Sequence, residues 1–163
     1  MPIRYILEKN YIKKKLSNGD IVIEISGGSP TQSTGRSSII LNSLLNRFDT
    51  DIICTNFCRA IKPINGYSTF IYYYLNYLYD KDIFFSYENG TTGIKNLDIA
   101  GFLKNEKIII PPINLIKRFD SYCNSALNQI FNNGKQNEQL ENLRDNLLSK
   151  LFSNEIDVYN INI

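Results

Sequence analysis

The sequence predicts an α+β chain: a globular domain of short strands and helices over residues 1–113, a long coiled-coil helix over 114–158, and a short tail over 159–163. Three observations predict it. Of 163 residues, 43% are apolar and 21% charged, the balance of a folded globular protein. The first 113 residues alternate short apolar runs with Gly, Pro and Asn turn signals. From Asn114 to Ser153 there is no proline and one glycine, and apolar residues recur every three or four positions.

The elements follow in order. L-S-N-G-D at 16–20 is a turn signal, and I-V-I-E-I at 21–25 follows it as a strand. S-G-G-S-P at 26–30 breaks that strand, and T-Q-S-T-G-R at 31–36 is a polar, glycine-hinged loop. Residues 38–41 read as a second strand. D-I-I-C-T-N-F-C-R-A-I at 51–61 alternates well enough for one long strand or two short ones. Pro63 ends it, and Asn65-Gly66 is a turn. Over 68–78, apolar side chains recur at 71, 74, 75 and 78, which is helical spacing. Tyrosines crowd this helix, and at that spacing they point to core rather than to base stacking. N-G-T-T-G at 89–93 is a polar loop, and 97–103 is a short helix or an irregular turn. K-I-I-I-P-P at 107–112 reads as a buried strand that two prolines stop.

The terminal helix carries one apolar stripe: Leu115, Phe119, Tyr122, Ala126 and Ile130, then Leu140, Leu143, Leu147 and Leu151. Between the two blocks, N-N-G-K-Q-N-E-Q at 132–139 is polar on every face. A continuous helix would run roughly 60 Å at about 1.5 Å per residue. A core built from the rest of the chain is narrower, on the order of 35 Å. The helix is therefore expected to project as an arm or to break at Gly134. A projecting stripe needs a partner, so Phe119, Tyr122, Ala126, Ile130, Leu140, Leu143, Leu147 and Leu151 are expected to pair with another long helix. The alternative is that the helix folds back on its own domain.

Composition excludes much chemistry. With no histidine, Ser-His-Asp and Cys-His centres and His-ligated metal sites cannot form. Cys54, Cys58 and Cys123 form no CxxC pair and are too few for a four-cysteine zinc site; Cys54 and Cys58 read as small apolar fillers. Phosphate-binding and dinucleotide-binding glycine motifs are missing, as is an adenine methyltransferase motif of the N-P-P-Y type. Glu24 could pair with another acid, but acidic residues are spread evenly, and no nuclease motif stands out. No run is apolar enough to span a membrane, and the opening M-P-I-R-Y-I-L-E-K-N does not resemble an export signal. The expectation is therefore a cytoplasmic chain that binds rather than reacts, with no catalytic residue, metal or cofactor. Net charge is +2. Residues 1–113 hold 13 Lys/Arg against 10 Asp/Glu, and 114–163 hold 5 against 6. A mildly basic front suits a nucleic-acid surface.

Five blocks in sequence order now carry a resemblance. They are G-D-I-V-I-E-I-S-G-G-S-P-T-Q-S-T-G-R (19–36), I-C-T-N-F-C-R-A-I-K-P (53–63), G-T-T-G-I-K-N-L (90–97), I-I-I-P-P (108–112) and N-L-R-D-N-L-L-S-K-L-F-S-N-E-I (142–156). Together they resemble a target-recognition domain of the DNA-specificity (S) subunits of type I restriction–modification systems, over about 16–156. The resemblance implies a non-catalytic role. Such subunits read a split double-stranded DNA sequence through two recognition domains held apart by two long antiparallel helices. The helices dock adenine methyltransferase (modification) subunits, and a restriction/translocase subunit can join. Methylation and cleavage reside in those other chains. This sequence shows one recognition domain and one long helix where the full pattern has two of each. A half-length subunit that self-associates, one cassette of a shuffled locus, and a truncated product all fit. A half-subunit pair would supply the two helices across a two-fold axis.

Base reading needs side chains that match base edges: Arg for guanine, Asn and Gln for adenine, Ser and Thr for either. The loop offers Thr31, Gln32, Ser33, Thr34 and Arg36. Arg59 and Lys62 are candidates for phosphate or base contacts. In a strand, Asn56 faces opposite to Arg59. Thr91, Thr92, Lys95 and Asn96 form a third polar cluster, whose loop N–H groups suit a phosphate or, equally, a solvated turn. Lys13-Lys14-Lys15 reads as a solvated face, with a phosphate contact as the alternative. Two rival readings stand: a protein-interaction module that dimerises through its C-terminal helix without touching DNA, and a carboxylate-based, metal-dependent nuclease.

Overall fold

The computed structural model of the chain describes residues 3–64, 66–90 and 93–156. The chain divides into two units, Met1–Ser125 and Ala126–Ile163. The first is α+β. It opens with helix α1 (Glu8–Lys14), which sequence reading does not predict: the helix buries no side chain and has no side-chain cap, so it carries little periodicity. Strands β1 (Ile21–Glu24), β2 (Ser26–Gly27) and β3 (Ser37–Ile39) follow, then the short helix α2 (Asn42–Leu45) and strand β4 (Cys58–Ile61). Helix α3 (Ser68–Asp80) leads into a 3₁₀ turn (Ile83–Tyr87), strands β5 (Glu88–Asn89) and β6 (Lys95–Leu97), helix α4 (Ile99–Asn105), and the long helix α5 (Ile113–Phe152).

Two small antiparallel sheets result, in orders β3-β1-β4 and β2-β6-β5. In the first, Ile21 lies opposite both Ile39 and Ile61. Residues opposite one another share a face, so these isoleucines line one side and Val22 and Ala60 the other. The isoleucine side meets Leu75 and Leu78 of α3, Phe84 of the 3₁₀ turn, and Leu97, Ile99 and Phe102. Phe84 is fully buried, worth roughly 1.5–3 kcal/mol. The other side rests on Leu16, Ile40 and Ile52, with Cys54 packed beside them as filler. The periodicity at 71, 74, 75 and 78 is thus the core face of α3, while Tyr77 stays exposed.

Two strand expectations are corrected. Of 51–61, only Cys58–Ile61 joins a ladder; Ile53 makes a single bridge to Lys15, and Thr55 to Phe57 form an exposed turn. Residues 107–112 form no strand and are not buried: Ile109 is 90% exposed. Neither Pro111 nor Pro112 can donate to a ladder. Instead the Pro112 carbonyl accepts the N–H of Leu115 (2.9 Å) and Ile116 (3.2 Å), starting α5.

Helix α5 runs unbroken through Gly134. Within the first unit, its inner face is Ile116 and Cys123, both buried. Thr69 Oγ1 donates to Asn124 Oδ1 (3.3 Å), and Phe119 stacks edge-on against Tyr73 at 5.6 Å. Phe119 therefore belongs at least partly to the packing of the first unit. The stripe expected to pair is offset from this inner face, and Tyr122 is 80% exposed. In the second unit, Ala126, Ile130, Leu140, Leu143, Leu147 and Leu151 are all exposed.

Candidate nucleic-acid interface

Strand β2 delivers the chain to the 31–36 loop. Ser29 and Gln32 close it with a backbone pair, Ser29 N–H to Gln32 O at 2.7 Å and Gln32 N–H to Ser29 O at 3.4 Å. This puts Thr31 and Gln32 at an exposed tip. The next residues turn inward. Ser33, Thr34 and Gly35 are buried, so the Ser33 and Thr34 side chains, expected as base readers, are not presented to a duplex. Glu88 of β5 holds them: its Oε1 accepts the Thr34 backbone N–H (2.5 Å) and hydroxyl (2.9 Å). Its Oε2 accepts Lys95 Nζ at 2.8 Å. Burial would push this carboxyl up, but Lys95 and the two Thr34 bonds outweigh burial and hold it below the ordinary glutamate range.

Three of the expected cationic contacts are committed internally. Arg36 donates from Nε and an Nη to the two Glu24 oxygens, each at 2.9 Å. Those hydrogen bonds and the Glu24 charge raise the Arg36 pKa. The fork that would read guanine O6 and N7 is filled by a carboxylate. Lys62 Nζ lies 2.7 Å from Asp20, whose carboxylate is buried. Lys95 is bound to Glu88, with its ammonium 5.0 Å from the Phe85 ring centroid. Arg59 is different. It is exposed on the edge strand β4 and forms no ion pair or hydrogen bond among the described residues. Thr91 and Thr92 lie outside the described residues.

The second sheet joins what the sequence separates. Asn96 of β6 lies opposite Ser26 of β2, and Ser26 Oγ donates to Asn96 Oδ1 at 2.7 Å. The Phe57 carbonyl accepts the N–H groups of Ile25 (2.8 Å) and Ser26 (3.2 Å), which sets the Thr55-Asn56-Phe57 turn against β2. Lys14 Nζ donates to Asn56 Oδ1. Hydrogen bonds thus link Asn96, Ser26, the 55–57 turn and Lys14 into one strip, exposed at Asn96 and the turn and half-buried at Ser26 and Lys14. Sequence reading of the site lacks Glu88 and Ser26, and offers Lys14 only as part of the 13–15 basic run: a lone acid or serine carries no signal until a fold supplies its partner.

The chemistry of the strip follows from its hydrogen bonds. The amide oxygens of Asn56 and Asn96 already accept internal donors. What they turn outward is N–H, which suits phosphate oxygens, purine N7, guanine O6 or thymine O4. Bidentate adenine reading needs the amide oxygen as well. At the loop tip, Asp80 and Asp82 line an open cleft of about 440 Å³ with Ser29 and Gln32. Two carboxylates there repel phosphate. Among the described residues, no three His, Cys, Asp or Glu side chains are grouped to hold a metal, and no helix is long and apolar enough to cross a membrane.

No family model matches the chain. Over 95 residues it is 38% identical to the type I restriction enzyme MjaIX specificity subunit of Methanocaldococcus jannaschii, a stretch covering 58% of this chain. The chain spans about a fifth of that protein's length, with 21% of it matched. The likeness is to one part of a type I restriction enzyme specificity subunit.

Proposed function

We propose that the chain is a non-catalytic DNA-recognition part of a cytoplasmic type I restriction–modification system, and that its first unit reads one half of a split double-stranded target. The observation that carries this is the 38% identity to a specificity subunit. Exposed polar groups support it: Gln32 at a braced loop tip, outward N–H donors on Asn56 and Asn96, and an unpaired Arg59. Gln32 and Asn96 are the base-reading candidates, and Arg59 is a phosphate or base contact. Arg36, Lys62 and Lys95 act one step back, by holding Glu24, Asp20 and Glu88. Exposed leucines of α5 serve helix pairing, with a second copy of the chain and with adenine methyltransferase subunits; a restriction/translocase subunit completes the complex.

The test is duplex binding by fluorescence anisotropy with charge-reversed surface variants. Gln32→Glu and Arg59→Glu together are expected to weaken binding of a random-sequence duplex by about tenfold or more at low salt, with the circular dichroism spectrum unchanged. Equal binding by variant and parent would move the chain to the interaction-module reading, which the exposed α5 leucines favour by themselves.

A further inference from the structure

We infer that Glu88 is a positioning residue for sequence discrimination: a buried latch that fixes the 31–36 loop in register with strand β6. This inference rests on the DNA reading proposed above. Glu88 stands on β5 directly after the 3₁₀ turn that places Phe84 beneath Gly35. Its side chain is 4% exposed. One oxygen takes two bonds from Thr34, and the other takes Lys95. A single buried group therefore ties together two segments sixty residues apart in the chain.

The functional weight lies in what stands next to each anchor. Gln32 is two residues before Thr34, at the exposed tip. Asn96 follows Lys95, and successive residues of a strand point to opposite faces. Lys95 turns inward to Glu88 while Asn96 is exposed and bonded to Ser26. Base readout by hydrogen bonds demands placement within about 0.5 Å. Phosphate attraction tolerates looser geometry. Releasing the latch therefore costs discrimination between sequences while sparing general attraction to DNA. The one acceptor oxygen toward Thr34 does the positioning, and the negative charge serves Lys95.

The experiment uses the full chain and a randomised duplex pool. The wild type is taken through selection, and the affinity ratio of the enriched duplex to an unselected random duplex is then measured for wild type, Glu88→Ala, Glu88→Gln and Thr34→Val. Glu88→Ala should lower the ratio about tenfold, the discrimination carried by one base contact, while random-duplex affinity moves by less than about twofold. Glu88→Gln keeps an acceptor for Thr34 and should retain most of the ratio. Thr34→Val loses the hydroxyl alone and should fall between; it also carries the test if Glu88→Ala does not fold. An unchanged ratio, or equal losses on both duplexes, overturns the positioning role. Amide hydrogen exchange gives a readout without DNA: the Thr34 N–H should be protected in wild type and Glu88→Gln and exposed in Glu88→Ala. An unprotected wild-type Thr34 overturns the latch even where DNA binds. A wild type that enriches no sequence overturns the DNA reading, and the positioning role with it, while Thr34 protection still reports separately whether the latch exists.

Discussion

Gly35 has no room for a side chain. Its φ of +98° lies in the left-handed region, and a Cβ would stand 2.6 Å from the Phe84 ring. Phe84 is fully buried against Phe102, with ring centroids 4.9 Å apart, and cannot withdraw. Gly35→Ala should cost roughly 3 kcal/mol, the sum of left-handed strain and overpacking. Urea unfolding checks this: the midpoint should fall with the slope unchanged. A shift below about 1 kcal/mol would mean that the loop moves off Phe84 at little cost. At this scale the sequence was legible in residue type and opaque in pairing. The polarity of T-Q-S-T-G-R marks a loop, and Arg36 carries the guanidinium that guanine reading asks for. Nothing in the string says that Glu24, twelve residues earlier, fills that guanidinium with two bonds. Long-range pairs such as Glu88 with Thr34 depend on the fold for their existence, so they lie beyond any reading of spacing.

Periodic elements were legible where one face is buried. Helix α3 and strand β1 fall within two residues of their expected bounds, because Leu75, Leu78, Ile21 and Ile23 all face one core. The run I-I-I-P-P misleads because a short apolar stretch has no period of its own, and its isoleucines lie largely in solvent. Helix α5 was legible as a long helix and in its start, but it ends at Phe152 and not at 158, and its polar centre left Gly134 ambiguous. The structure keeps that residue helical, with nothing beyond its own helix backbone within 4 Å of a would-be Cβ. Gly134→Ala therefore meets no clash. It should stabilise the helix by roughly 0.5–1 kcal/mol through the smaller entropy of the unfolded chain. Far-ultraviolet circular dichroism on heating should show helix loss at a higher temperature than in the parent. A lower temperature would mean that Gly134 serves a close backbone contact with another chain.

At the scale of the whole molecule, the open question is what covers α5. Leu140, Leu143, Leu147 and Leu151 recur at steps of three, four and four, and all four are exposed. In proteins most helical stability comes from packing an apolar face, so an uncovered stripe leaves this part of α5 without that contribution. A second copy supplies an identical stripe, and an isologous pair buries both at once. Eight partly exposed leucines would gain on the order of 8 kcal/mol, from which lost rotational and translational freedom subtracts several. Such a pair depends on concentration. Light scattering over a dilution series should therefore show a mass rising toward twice 18.8 kDa as concentration increases. Leu143→Glu with Leu147→Glu places like charges in the seam and should hold the mass at 18.8 kDa throughout, with reduced helix content. A wild type that stays at 18.8 kDa at every concentration would show that the stripe is reserved for a different helix.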